Sequence, residues 1–264
     1  MFEAKLPNAS LLKKIVDAIK DLVNDAPFDC TENSMSLQAM DASHVALVAL
    51  KLDNGLFDMY RCDRTINIGS SVANLIRALK CANNDDSCMI RYNDDEGDTV
   101  LFTFVDEKRD RSQDVTVKLI DIDSEQLGIP DQKYSAVIEM PSSKFQKTCR
   151  DLAMFSDSIV INASKGGVTF KSHGDTGGST LVYNSSSSAD DDDSGKIFFN
   201  VKEDVNVTFS IKYLNHFAKA ASLSNRVRLS ICNDVPIAVE YNIEDNGYLR
   251  FYLAPKIDDD QNID

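Results

Sequence analysis

The two halves of this chain repeat each other, and that restricts the fold more than any other feature. Leu6-Pro7 matches Met140-Pro141, Leu12 matches Phe145, Lys14 matches Lys147, Ile19 matches Leu152, and Met35 and Leu37 match Val168 and Phe170. A second alignment lays Leu75 on Leu214 and Lys80 on Lys219. Each half reads in one order: strand, helix, several strands, helix, several strands. Self-similarity at a fixed spacing means one structural unit built twice. The 264 residues fit two such units, with a hydrophobic content of 43% supplying their cores. The expected class is α+β, with two similar domains of two helices each and antiparallel sheets.

The helices follow from apolar period. Over residues 10–24, Leu11, Leu12, Ile15, Val16, Ile19, Leu22 and Val23 recur at spacings of three and four, which builds one buried stripe. The same reasoning predicts helices over 70–82, 142–154 and 211–222. In the last, Leu214, Phe217 and Ala221 face inward, opposite Lys212, His216 and Lys219. Strands are expected over 45–52, 100–105, 115–120, 137–140, 159–161, 197–201, 207–211, 227–231, 238–241 and 249–253, where side chains alternate. Turn signals at Asp53-Asn54-Gly55, Lys165-Gly166-Gly167 and Asp245-Asn246-Gly247 separate many of them.

Charge is sorted by these elements. The chain has a net charge of −14, yet its four expected helices carry ten basic side chains against three acidic ones. Lys13, Lys14, Lys20, Arg77, Lys80, Lys144, Lys147, Arg150, Lys212 and Lys219 oppose only Asp17, Asp21 and Asp151. The helices are thus net positive and everything else is strongly negative. One basic helix face is as readily a solvated surface. Four of them in an acidic chain point to a surface that binds and steers a polyanion.

Between the halves, residues 121–133 (DIDSEQLGIPDQK) lose periodicity and read as a connector. The stretches 185–194 (SSSSADDDDS) and 258–264 read as a solvated loop and an acidic tail. The expected organisation is a domain over 1–120, a connector over 121–133, a domain over 134–257 and the tail.

Catalytic machinery is hard to find. None of the three histidines, His44, His173 and His216, sits in a metal or nucleophile motif, and no phosphate-binding glycine loop is present. The acidic runs are more simply solvated than metal-binding. The six cysteines show no C-x-x-C spacing and read as reduced structural thiols. The start MFEAKLPNAS lacks the apolar run of a signal peptide, and no apolar window approaches the length of about 20 residues that spans a membrane. A soluble intracellular protein without enzymatic activity or cofactor is expected, and four glycosylation sequons read as chance matches.

Specific strings then carry a resemblance. MFEAKL with LKK, LQAMDASHVALV, YRCDR, KCA, QLGIPDQKYS, MPSSKF, CRDLA, YLN, DVP and LAPKI run in unbroken order from Met1 to about Ile257. Together they resemble the eukaryotic proliferating cell nuclear antigen family, the sliding clamps of DNA replication. The resemblance implies the DNA-clamp fold and a ring-shaped homotrimer of six domains, with helices lining a hole around double-stranded DNA. It implies a nuclear protein that confers processivity on DNA polymerase delta. Its partners would be a clamp loader, flap endonuclease, DNA ligase and other proteins carrying the short PIP-box peptide, with no membrane. The family's DNA-facing positions fall on Lys13, Lys14, Lys20, Arg77, Lys80, Arg150, Lys212 and Lys219. One further position of that group, often histidine, is Met154 here.

The resemblance also places a partner-peptide pocket at Met40, His44, Val45, Leu127, Ile129, Tyr134, Pro236, Tyr252, Ala254, Pro255 and Lys256. It implies a subunit joint between 114–120 and 177–183, through Val115, Val117, Leu119, Gly178, Thr180 and Leu181. Val115 stands where the family often carries a tyrosine, so less area is buried there and a more readily dissociating trimer is expected. Lys165 matches the lysine that receives ubiquitin for translesion synthesis. A subunit of a heterotrimeric checkpoint clamp is the alternative, but it would not need to keep the QLGIP connector and the LAPKI tail. An unrelated acidic enzyme has no catalytic constellation to support it.

Overall fold

The computed structural model describes residues 1–93, 97–106, 111–123, 127–129, 132–184 and 195–257. The expected loop at 185–194, the acidic tail from 258 and connector residues 124–126, 130 and 131 lie outside them. The chain divides into two units, Met1–Gly128 with Asn242–Leu249, and Ile129–Tyr241 with Arg250–Asp264.

The first unit holds β1 (Phe2–Leu6), α1 (Ser10–Ile19), β2 (Asp25–Cys30), β3 (Ser34–Met40), β4 (Ala46–Asp53), β5 (Met59–Cys62), β6 (Ile66–Ser71), α2 (Val72–Leu79), β7 (Ser87–Tyr92), β8 (Thr99–Asp106) and β9 (Arg111–Lys118). Its strands form a sheet ordered β5-β1-β7-β8-β9 and a run ordered β4-β3-β2-β6. The second half of the chain repeats that order with β10 (Ala136–Pro141), α3 (Ser142–Leu152), β11 (Ser158–Ser164), β12 (Gly167–Gly174), β13 (Gly177–Asn184), β14 (Phe198–Val201), β15 (Val205–Ser210), α4 (Ile211–Ala218), β16 (Arg226–Ile231), β17 (Ile237–Asn242) and β18 (Gly247–Leu253). Its strands run β14-β10-β16-β17-β18 and β13-β12-β11-β15, element for element the arrangement of the first unit. Every pairing whose register is resolved is antiparallel, as in Phe28↔Leu37 and Ile161↔Phe170.

Several strands escape pattern reading. Pro27 interrupts β2, Met59–Cys62 is only 4 residues long, and β13 opens on Gly177-Gly178, all features that weaken a strand signal. The helices are shorter than their apolar stripes. α1 stops at Ile19, yet Leu22 and Val23 stay buried because their N–H groups both bond the Ile19 carbonyl, at 2.9 and 3.1 Å. The stripe therefore continues through a turn. α2 begins at Val72 rather than residue 70, because Ser71 accepts the Asn74 N–H at 3.2 Å and caps it. α4 ends at Ala218 and a 3-10 turn carries on through Lys219–Ser222. His216, expected on the outer face, is half-buried.

In each unit the two helices pack on one another and lay their apolar stripes on a sheet. Leu12, Ile15, Val16 and Ile19 of α1 are at most 3% exposed, each burial contributing roughly 1.5–3 kcal/mol. In the second unit Phe145, Phe170, Phe209, Phe217 and Phe251 are fully buried, and Phe217 stacks on Phe251 with ring centroids 4.7 Å apart.

Candidate nucleic-acid interface and partner pocket

Seven of the eight expected DNA-facing cations are exposed: Lys14, Lys20, Arg77, Lys80, Arg150, Lys212 and Lys219. Their positions follow from helix chemistry. Lys20, Lys80 and Lys219 are the C-cap residues of α1, α2 and α4, where the negative end of the helix dipole favours a cation by about 0.3–1 kcal/mol. Lys20 also bonds Asp17 one turn back, which holds its ammonium pKa above the ordinary value. Arg77 reaches the Asn74 side chain at 3.4 Å and Arg150 lies 3.8 Å from Asp151. These are weak, solvent-exposed contacts that a phosphate can displace.

Lys13 is different. It is half-buried, and its Nζ donates to the Ala82 carbonyl at 2.5 Å and to Asn84 Oδ1 at 3.3 Å. It spends its charge joining α1 to the end of α2. Two further helix cations are engaged by the protein itself: Lys144 donates to the Gly195 carbonyl at 2.7 Å and Lys147 pairs with Asp151 at 2.5 Å. Met154 follows α3 with 73% of its surface exposed.

The partner-pocket residues of the first unit surround a cavity of about 640 Å³ lined by Met40, His44, Leu47, Leu127, Val23 and Pro27, among others. Two residues that sequence reasoning missed build it. Gln38 on β3 bonds Leu127 twice, donating to its carbonyl at 3.0 Å and accepting its N–H at 2.6 Å, so the connector is fastened as an added strand would be. Asp41 is 6% exposed and accepts the N–H groups of Ser43, Val45 and Ala46 at 3.1, 2.9 and 2.7 Å. That carboxylate folds the 41–46 loop into a tight turn, which puts His44 in the left-handed region at φ 58°. Val45, 39% exposed, sits in the same loop but does not line the cavity. The signal for Asp41 is the Met-Asp-Ala-Ser run, which reads equally well as an ordinary turn.

The other pocket residues belong to the second unit. Ile129 is 37% exposed, and Pro236 and Ala254 are exposed as well. Burial pushes the Tyr134 phenol up to about 12. The Tyr252 hydroxyl accepts from Arg250 at 3.0 Å. The segment after β18 is pinned at Lys256, next to the half-buried Pro255: the Lys256 N–H donates to the Thr208 carbonyl at 2.8 Å and its Nζ to Ser158 Oγ at 2.6 Å.

Both expected joint strands are sheet edges. β9 ends the five-stranded sheet of the first unit and β13 ends the four-stranded sheet of the second. Each leaves a row of backbone donors and acceptors open to another chain. On β9, Val115 is half-buried opposite Phe102, and Val117 is 5% exposed, turned into its own unit. Leu119 follows the strand, with its N–H on the Asp98 carbonyl at 2.8 Å. On β13, Gly178 and Thr180 face outward and Leu181 is half-buried. Lys165 is exposed in the β11–β12 turn, closed by Gly167 at φ 141°, where a Cβ would lie 2.1 Å from the Tyr183 carbonyl.

The start of β9 is anchored by Arg111, paired with Asp86, itself 1% exposed. Burial alone would raise the Asp86 carboxyl, but the Asn83 N–H at 2.8 Å and the Arg111 guanidinium outweigh it and hold the pKa below its ordinary value of 3.8. The stabilisation is therefore complete above that ordinary value and is lost as the pH falls through the lower folded-state pKa. Asp86→Ala is expected to cost about 1–3 kcal/mol at neutral pH and to flatten the acid limb of the stability curve. Urea denaturation across that limb checks it, and an identical pH dependence in both proteins would refute it.

Among the described residues no group of three or more His, Cys, Asp or Glu side chains is placed to hold a metal ion, and no helix is long and apolar enough to cross a membrane. Two family models match the chain: proliferating cell nuclear antigen, N-terminal domain, over residues 1–126, and proliferating cell nuclear antigen, C-terminal domain, over residues 128–256. A relative from Caenorhabditis elegans, named proliferating cell nuclear antigen, is 66% identical over 264 residues, covering 100% of both chains.

Proposed function

Since the chain belongs to the proliferating cell nuclear antigen family, we propose that its exposed helix cations face the duplex and that it works in the nucleus. The protein is a sliding clamp, a non-enzymatic ring of three copies that encircles double-stranded DNA. It confers processivity on DNA polymerase delta and recruits PIP-box proteins of replication and repair. The observation that carries the site assignment is the set of exposed cations on four helices of a chain whose net charge is −14.

Such a lining suits sliding. Contacts to phosphates carry no sequence information, so every register along the duplex is equivalent. The weak, exposed contacts at Lys20, Arg77 and Arg150 exchange readily for phosphate. Ring closure prevents escape, and the charges need only centre the DNA. A processivity assay on a primed circular template with a clamp loader tests the reading. Absence of stimulation, together with no retention on closed circles, would overturn it.

The cavity beside Met40, His44 and Leu127 is the anchor site for an aliphatic or aromatic side chain of a partner peptide. Lys165, exposed in its turn, is the acceptor for ubiquitin. For the joint, β9 of one copy adds to β13 of the next, head to tail, so that three copies close the ring. Val115→Tyr adds apolar area at that joint and is expected to slow subunit exchange and lower the trimer dissociation constant roughly tenfold. Sedimentation at nanomolar concentration measures it; a wild-type trimer already fully associated there would remove the idea.

A further inference from the structure

The two units differ at one place where their repeat predicts sameness. α3 starts at Ser142, after Pro141, with no capping side chain. The Ser142 N–H donates to the Asn225 carbonyl at 2.9 Å. The next two N–H groups, of Ser143 and Lys144, have no intrahelical acceptor, because a helix leaves its first turn of donors unpaired. Beside this first turn lies a cleft of about 340 Å³ lined by Ser142, Ser143, Gln146, Lys219, Ser222 and Asn225. Ser142 is 1% exposed, and its Oγ has no hydrogen-bond partner.

The equivalent place in the first unit is closed to anions. Ala9 stands for Ser142 and Asp86 for Asn225, as the matching Ala9 N–H to Asp86 carbonyl bond of 2.7 Å establishes. Asp86 is a buried carboxylate there, and Lys13 fills the space beside it by bonding Ala82 and Asn84. In the second unit the residue at the Lys13 position is Gln146, which is neutral and donates to the Ala218 carbonyl at 3.2 Å. The cleft remains open, with Lys219 among its lining residues.

We propose that this cleft seats a backbone phosphodiester of the encircled duplex, a reading that rests on the helices facing DNA. The Ser143 N–H group and the positive end of α3 receive the phosphate oxygens. The Ser142 hydroxyl supplies a second donor, which the fold otherwise leaves unused, and Lys219 supplies the countercharge. Each copy thus has one built phosphate seat, in its second unit, and the remaining lining contacts are looser ion pairs.

The test uses the isotope-labelled trimer and follows backbone amides by TROSY spectroscopy as a short duplex, or inorganic phosphate alone, is added. The duplex is expected to shift Ser143 and Lys144, and phosphate to shift the same two amides weakly. Ser142→Ala should raise the duplex midpoint for these amides roughly ten- to a hundredfold, the loss of one hydrogen bond to an anion, without lowering Tm. Asn225→Asp, which installs the carboxylate of the first unit, should abolish both shifts. If the duplex moves the amides at Lys20 and Lys80 but not those at Ser143 and Lys144, the seat is refuted and the DNA-facing reading stands. If it moves none of them, that reading falls too. Shifts with inorganic phosphate but not with the duplex would mark a small-anion site and overturn the proposal, as would a lowered Tm in Ser142→Ala, because the hydroxyl would then have an internal partner.

Discussion

A Lys20→Ala, Lys80→Ala, Lys219→Ala variant will fold, assemble and melt close to the wild type, yet load onto DNA far more slowly and so support far less processive synthesis by the polymerase. All three side chains are exposed C-cap residues, so each substitution forfeits a helix-dipole interaction of at most about 1 kcal/mol, together with the exposed Asp17 pair at Lys20, and no core packing. The effect on DNA is larger because three copies multiply it. Removing a cation that neutralises one phosphate lowers the salt dependence of binding by nearly one unit, and removing several slows association by orders of magnitude near physiological salt. Loading is therefore expected to slow at least tenfold and its salt dependence to become shallower. Rings already closed on circular DNA stay on it, because topology rather than charge retains them. Lysine-to-arginine replacements at the same positions restore loading. Unchanged processivity in the alanine variant would refute the assignment of these residues to DNA.

Asp41→Ala is expected to have the largest effect on partner binding. One buried carboxylate holds the N–H groups of Ser43, Val45 and Ala46, and its removal leaves donors in a short loop without acceptors. The cost is about 2–4 kcal/mol of stability, given that hydrogen bonds to charged groups contribute more than neutral ones. Without the tight turn His44 relaxes from φ 58°, and the wall it forms beside Met40 and Leu127 is lost. A labelled PIP-box peptide followed by fluorescence anisotropy should bind at least tenfold more weakly, while clamp loading on DNA changes little. Asp41→Asn should fall between the two, since the amide keeps one acceptor oxygen. Wild-type peptide affinity in Asp41→Ala would show that this loop does not shape the pocket.

These two sites differ in how far a reader of the sequence can see them. The lysines are legible because a helix makes its faces periodic: Lys13, Asp17, Lys20 and the stripe from Leu11 to Val23 announce both the element and its outer side. Even so, Lys13 and Lys20 look alike in sequence. Only the approach of Ala82 and Asn84, some seventy residues away, takes Lys13 out of the exposed set. The pocket is less legible. Gln38 sits in a strand where a polar residue reads as solvent-facing, and its double bond to Leu127 exists only because the connector passes over it. Asp41 reads as a turn residue, and its burial depends on the packing of the strands on either side.

What the sequence alone determined is therefore what local periodicity and repetition encode: two equivalent units, four amphipathic helices, and a charge imbalance that follows them. Each of these depends on residues within about a turn of one another or on a copied pattern. The tertiary structure decided which chemically identical side chains remain available. It spent Lys13 and Lys144 on internal contacts, left β9 and β13 as open edges, and closed one helix-start cleft with Asp86 while leaving the other open at Asn225. The physical reason is that burial and hydrogen-bond partnership are properties of neighbours in space. Those neighbours come from strands and helices far apart in the chain, whose meeting no local pattern records.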